Sequence, residues 1–255
     1  MADASSTDGG AHDSGPRPGD ALIVGDAPSE TDAGGAALCG ATEVPCTDQS
    51  VARLRLFDTV NPAAVTEEGT TAGEFRTLVD ARAGGSMSTQ SFVYLRFTDA
   101  GLAKVEVSDE GAFTSMDWDL AVRRYVIRLN SGVGGPSCVQ AARAAPGTTF
   151  EALTAAPTNV AWRTEGYFTD SCELVNDGSG IGAPGTALSS FWSYRSCVQM
   201  TGNVFAIRLR SGRHVKLQVL SYYSPTAQAA CDSTGMVPSP NDAGMVRLRW
   251  AFIDG

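Results

Sequence analysis

The sequence predicts a mainly β protein, with antiparallel sheet folded over into a barrel- or sandwich-like domain carrying long loops. Three observations carry this prediction. Short stretches alternate apolar and polar residues with a period of two, as where Val215, Leu217 and Val219 interleave with His214, Lys216 and Gln218. Turn-forming Gly, Ser, Asn and Asp residues separate these stretches. No long amphipathic helical stripe appears, so the layers available for burying apolar faces are sheets.

Composition sets the limits. A chain of 255 residues holds one domain of ordinary size and a tail, and 43% hydrophobic with 18% charged residues is enough for a sizeable core. The net charge of −9 is unevenly placed. Nine of the 28 acids but one of the 19 bases fall within residues 1–50, so the remainder is close to neutral. A domain without a basic face is not a nucleic-acid binder. Residues 1–36 are mostly Gly, Ala, Ser, Asp and Pro, and no Phe, Trp or Tyr precedes Phe57. Such a stretch cannot bury enough surface to offset its ordering entropy, so it is expected to be a disordered acidic tether or tail ahead of a β domain at residues 37–255.

The elements follow in order. Residues 51–57 alternate Arg53 and Arg55 with Leu54 and Leu56 and read as a strand; residues 66–79 read as loop with a short strand at the end. Residues 91–98 set Val93, Leu95 and Phe97 against Phe92, Tyr94 and Arg96, and after the turn at Asp99-Ala100-Gly101 residues 102–107 return as a hairpin partner. Residues 117–132 open with Asp117-Trp118-Asp119 and continue as one strand, with Tyr125, Ile127 and Leu129 on one side and Arg124, Val126 and Arg128 on the other. Trp118 is expected to anchor that strand to the core. Residues 131–158 are rich in Gly, Ala and Pro, with one possible helical turn at 150–154. Residues 160–168 read as a strand, 171–190 as a long loop, and 191–194 as an aromatic, β-prone segment. Residues 203–210 and 213–223, joined at Ser211-Gly212, form the clearest hairpin, and residues 245–253 close it with Val246, Leu248, Trp250 and Phe252 inward.

Six cysteines, at 39, 46, 138, 172, 197 and 231, occur without a C-x-x-C pair. The count reads as three disulfides and an oxidising compartment, against buried free thiols in a cytosolic protein. Only Cys39 and Cys46 are close enough in sequence to suggest a local loop. No apolar run reaches the ~18 residues of a membrane helix. No apolar h-region follows Met1, so an exported form would have lost its signal.

Catalytic patterns do not assemble. There is no G-x-S-x-G nucleophile elbow, and with His12 in the tail only His214 could serve a triad. His214 reads as a solvated or edge histidine within strand alternation, and Asp117 and Asp119 as turn caps or partners of an arginine. The arginine pairs at 53/55, 124/128, 208/210 and 247/249 read as outward strand faces. The glycine run 178–185 lacks the Lys-Ser/Thr of a phosphate loop and reads as a loop. The chain is therefore read as a binding protein, not an enzyme.

The Trp118-Asp119, Arg123, Tyr125 and Arg128-Leu129-Asn130-x-Gly132 series resembles the signature of the HmuY family of secreted bacterial haem-binding lipoproteins. Residues 91–109, 203–223 (with Lys216, Gln218, Tyr222 and Tyr223) and 245–252 are similar to further family segments, so the resemblance covers residues 89–255 in patches. It implies an all-β, exported, surface-anchored lipoprotein or a shed form of one. Such a protein would carry haem to a TonB-dependent outer-membrane receptor for iron acquisition. Family members hold iron with histidines or methionines, and neither histidine carries over here. The candidate haem-binding residues are Met200, as axial ligand, with Tyr194, Arg195 and Arg123. The alternative is a non-catalytic ligand- or protein-binding module on the same fold that has lost haem ligation.

Overall fold

The computed structural model describes residues 37–71, 73–85 and 88–255. The expected acidic tether at residues 1–36 lies outside the described residues. Two antiparallel sheets dominate. The larger comprises β1 (Val65–Thr71), β2 (Glu74–Asp80), β7 (Gln140–Arg143), β10 (Val204–Arg208), β11 (His214–Ser221) and β12 (Met245–Ile253), in the order β1-β2-β12-β11-β10-β7. The smaller comprises β3 (Val93–Thr98), β4 (Gly101–Val105), β5 (Leu120–Arg123) and β6 (Val126–Leu129), in the order β4-β3-β5-β6. A two-stranded hairpin of β8 (Trp192–Tyr194) and β9 (Val198–Met200) stands apart from both.

The period-two pattern dictates how the sheets meet. Phe75, Val79, Phe205, Ile207, Val215, Leu217, Val219, Val246, Leu248 and Trp250 of the large sheet share one buried cluster with Val93, Leu95, Phe97, Leu120, Val122, Ile127 and Leu129 of the small one. Trp250 anchors it, stacked on Phe75 at 4.2 Å and edge-on to Phe97 at 5.0 Å. The arrangement is therefore a sandwich; the sheets do not join into a closed barrel. A side chain links them where backbone pairing stops: Glu67 Oε1 on β1 accepts Leu102 N of β4 and the Thr77 hydroxyl of β2.

Both outer faces are covered. Behind the small sheet, Phe92, Tyr94 and Ala121 pack with Leu54, Leu56, Trp118, Tyr167 and Phe168. Behind the large sheet, Val204, Ala206 and Ala251 pack with Ala144, Phe150 and Leu153. Trp118 is fully buried, as expected of an anchor, and its indole N–H donates to Ala112 O.

Several expectations change. Residues 51–57 are not a strand: α1 (Thr47–Leu54) is a helix, flanked by Cys46 (φ 59°) and Arg55 (φ 52°). Leu54 and Leu56 look alternating because the helix ends between them, and both still reach one cluster. In residues 66–79 the short strand expected at the end is β2, while the part expected as loop is a second strand, β1, paired with it. The long strand at 117–132 is a tight hairpin, β5 and β6, turning at Arg124 (φ 52°) and Tyr125. That turn has no glycine to announce it. Arg128 is accordingly fully buried, not outward. Residues 160–168 make isolated bridges at Arg163 and Phe168, residues 150–152 are a turn, and α2 (Pro225–Thr234) is an added helix.

All six cysteines are paired, as Cys39–Cys138, Cys46–Cys172 and Cys197–Cys231. The local Cys39–Cys46 pair is overturned. Leu38 N donates to Arg210 O and Thr42 N to Pro136 O, which ties the segment around Cys39 to distant parts of the chain. Each cysteine instead reaches a distant partner at a Cα separation that a disulfide allows, 6.2 Å for Cys39–Cys138 and 5.4 Å for Cys46–Cys172.

The outer cluster of the small sheet is organised by Asp109, which is wholly buried. Its carboxylate accepts Phe57 N (3.1 Å), Phe92 N (2.9 Å) and the Tyr94 hydroxyl (2.9 Å), and faces the guanidinium groups of Arg123 (3.7 Å) and Arg128 (3.9 Å). Replacing it by alanine orphans both backbone donors and two buried cations. Asp109→Ala is expected to cost about 3–5 kcal/mol in urea denaturation. A loss below about 1 kcal/mol would mean that the buried cations are held by other groups.

Candidate functional site: an aromatic shelf beside an arginine-rimmed cleft

The β5–β6 turn projects Tyr125 into a run of aromatic side chains. Its ring lies 5.0 Å from Trp192 of β8 and 6.0 Å from Tyr222, which meets Tyr223 edge-on at 4.8 Å. Met200 is the cross-strand partner of Trp192, so the hairpin sets a thioether next to the shelf. The Met200 side chain is half-buried and packs against the central core.

Arg124 begins the adjoining cleft. Its backbone N–H donates to Ala81 O (2.7 Å), its guanidinium donates to Gly85 O (3.0 Å), and Cζ lies 5.8 Å from the Tyr125 ring. The open cleft, about 820 Å³, is lined by Pro62, Ala63, Asp80, Arg82, Gln90 and Arg124, among others. That volume falls within the roughly 300–1,000 Å³ usual for small-molecule and cofactor sites. Arg82 is neutralised by a bidentate pair with Asp80 (2.8 and 2.6 Å), which holds the Asp80 carboxyl below its ordinary pKa. Burial pushes the Tyr222 hydroxyl up to about 12 against the opposing charge of Arg124, so it stays neutral across the physiological range. The pieces offer an apolar wall of mutually tilted rings (47–74°), of which Tyr125 is half-buried and Trp192, Tyr222 and Tyr223 are buried, with a cation at its edge. Among the described residues, the cleft lining itself holds no aromatic residue.

The structure brings three of the four expected haem residues onto one hairpin: Met200 on β9, Tyr194 on β8 and Arg195 in the turn between them, the last two exposed. Arg123 goes elsewhere. Its guanidinium is buried in the outer cluster, donating to Leu54 O and Arg55 O, stacked on Phe92 at 4.2 Å, and pushed down to about 10 by burial despite Asp109. Its neighbour Arg124, assigned from periodicity to an outward stripe, is the guanidinium at the cleft. The missed signal is the Arg123-Arg124-Tyr125 run, which reads as strand until the turn is known. His214 is half-buried at the start of β11: it packs at 5.6 Å on Trp162 at the back of the large sheet, where burial and Arg208 lower its pKa. Asp119 accepts Phe97 N at 2.9 Å, in keeping with a structural role. No helix among the described residues is long and apolar enough to cross a membrane.

A family model, HmuY protein, matches residues 88–234, and the chain belongs to the HmuY family. Solved structures similar to it include a Bacteroides fragilis protein described as a lipoprotein (16% identity, 72% of this chain and 92% of that chain, TM-score 0.45). A Bacteroides vulgatus protein described as HmuY-like and haem-binding has 15% identity, 72% and 94% coverage and a TM-score of 0.43. The apo HmuY analogue of Tannerella forsythia has 14% identity, 78% and 100% coverage and a TM-score of 0.41. Comparison with curated proteins returns no significant match.

Glu165 joins the far end of β6 to the segment that leads to β8. It is buried, with one carboxylate oxygen accepting Leu129 N (2.8 Å) at the end of β6 and the other Ala187 N (3.0 Å) on the approach to β8. Burial pushes it up from 4.5 to about 8, against the two N–H groups and the charge of Arg128. A native pKa above the unfolded one means that the folded state holds a proton the unfolded chain has released. The contribution is complete below pH 4.5 and is lost as pH rises through about 8. Stability of the wild type is thus expected to fall by a few kcal/mol across that window, and the slope should vanish in Glu165→Gln. Parallel curves for the two proteins in denaturant titrations at several pH values would exclude Glu165 as its source.

Proposed function

We propose that this chain binds haem, or a closely related tetrapyrrole, in the cleft beside the Tyr125–Trp192 shelf, and performs no catalysis on it. The observation that carries the reading is the β5–β6 turn, which sets a guanidinium at a cleft edge with an aromatic wall behind it, in a member of the HmuY family. A porphyrin is flat, apolar and edged by two carboxylates. Its face suits the half-buried Tyr125, and a carboxylate suits Arg124, with guanidinium–carboxylate pairing supplying orientation. The residues fit the ring and its carboxylates better than they fit the iron. Met200 is the soft donor at hand, while His214 lies behind the other sheet against Trp162. Binding would therefore lean on stacking and charge pairing, with Met200 as candidate axial donor.

We read the protein as exported and surface-anchored, residues 1–36 serving as tether, and as passing its ligand to a TonB-dependent receptor. The three disulfides support an oxidising compartment. The placement of His214 favours a second reading, in which the fold has given up haem for another ligand or a partner protein.

Titration with haemin under oxidising and reducing conditions separates these readings. The expected result is a saturable one-to-one complex with a shifted Soret band, weakened in Met200→Ala. Absence of any saturable complex would favour the second reading. Arg124→Gly tests the cleft more sharply. Glycine at φ 52° relieves a left-handed strain of about 1–2 kcal/mol, so thermal stability should hold or rise while haemin affinity falls about tenfold or more. Undiminished affinity would remove Arg124 from the site.

A further inference from the structure

We infer that Gln228 of α2 is a positioning residue that fixes the two halves of the aromatic shelf against each other, so that the ligand wall is preassembled; this rests on the reading above. The chain leaves the large sheet after β11, and the N–H groups of Tyr222 and Tyr223 have no strand to pair with there. The buried Gln228 side chain takes both: its Oε1 accepts Tyr222 N at 2.9 Å and Tyr223 N at 3.3 Å. Its Nε2 donates in the other direction, to Val198 O of β9 at 3.0 Å and to Asp232 Oδ1 at 2.9 Å. Asp232 Oδ1 in turn accepts Met200 N at 2.9 Å. One amide therefore joins the tyrosine half of the shelf to the hairpin that carries Trp192 and Met200.

The amide is used on both sides, as donor and as acceptor, and no other side-chain type offers that combination at this length. Two further contacts tie the same elements: Val198 N donates to the Tyr223 hydroxyl (3.2 Å), and the Gln199 amide donates to Cys231 O (2.9 Å). The Cys197–Cys231 disulfide fastens the start of β9 to α2 independently. Loss of Gln228 should thus loosen the shelf while the hairpin stays tethered and the fold persists. β8 and β9 pair with neither main sheet, so these ties, together with the packing of Trp192 and Val198 in the central core, set the position of the hairpin.

The experiment has a ligand-free arm and a haemin arm, both on the full chain. In hydrogen exchange without ligand, Gln228→Ala should speed exchange of the Tyr222, Tyr223 and Val198 amides about tenfold or more, leaving Leu95 and Phe97 of β3 unchanged. In haemin titration the same variant should lose about tenfold in affinity, whereas Leu153→Ala, in the cluster behind the large sheet, should lose stability without affinity. Gln228→Glu supplies the conservative control. Protonated at low pH it regains one donor and should recover part of the affinity; ionised at high pH it is acceptor-only beside Asp232 and should not. Unchanged exchange at Tyr222 and Tyr223 would overturn the inference whether or not haemin binds. Wild-type protein that fails to bind haemin, with exchange altered as expected, would sink the tetrapyrrole reading and leave the clamp standing. Faster exchange together with unaltered haemin affinity would also overturn it, because the wall would then not depend on the clamp.

Discussion

One buried carboxylate holds the architecture in register. Asp109 lies beyond the end of β4, in a segment without regular structure, yet it receives backbone donors from Phe57, after α1, and from Phe92, at the entry to β3. It also faces Arg123 and Arg128, from the two strands on either side of the Arg124 turn. Two cations and one anion leave a surplus positive charge in a dry place. The surplus is met by oxygen atoms and aromatic faces: Leu54 O and Arg55 O for Arg123, and the Tyr94 and Tyr167 hydroxyls with the rings of Phe92, Phe113 and Trp118 for Arg128. Burial weighs against the charge of Arg128, and Tyr94, Tyr167 and Asp109 outweigh it. Such an arrangement costs more to break than it contributes when intact, which makes it a device for specifying one geometry.

The geometry it specifies is that of the β5–β6 turn. Residues before the turn are fixed through Arg123 and residues after it through Arg128, so Arg124 and Tyr125 are presented from a rigid base. The irregular stretch between β6 and β8 is held in a comparable way. Asn130 donates to Ser115 O and Trp118 O and accepts Ser137 N; Glu165 bridges Leu129 and Ala187; Cys138 and Cys172 are bonded to the segment before α1. Side-chain hydrogen bonds and cross-links with sequence separations of 99 and 126 replace backbone ladders there.

This division explains what the sequence disclosed. β3, β10, β11 and β12 were legible because one face of each is buried in the central cluster, and burial writes itself as alternation. The Trp118-Asp119 to Asn130 series was legible as a family marker because those side chains satisfy specific partners in the fold. The cross-links were countable but not pairable, since their partners are set by tertiary paths and not by spacing. α1 was misread because four alternating residues straddle a helix end. The β5–β6 hairpin was hidden because Arg124 occupies a turn position that glycine or asparagine would have signalled. That last omission drew attention to Arg123, whose side chain is buried in the fold, and away from Arg124, which lines the cleft.

Backbone strain at the cleft has the same origin. Arg124 shares a left-handed φ near 52–54° with Ala83, which sits between lining residues Arg82 and Gly84, and with Asp242, next to lining residue Ala243. None is a glycine, so each conformation must be imposed by its surroundings. Hydrogen bonds do the imposing: Arg124 N to Ala81 O, Ala81 N to Gly244 O, Gly244 N to Tyr222 O, and Thr89 N to Ala83 O. They run in a chain from the small-sheet turn, across the cleft margin, to the tyrosine end of the shelf. Each strained residue on this path is thus tied, through backbone pairs, to the elements on either side of the cleft, and a wall preorganised in this way lowers the ordering cost of whatever it binds.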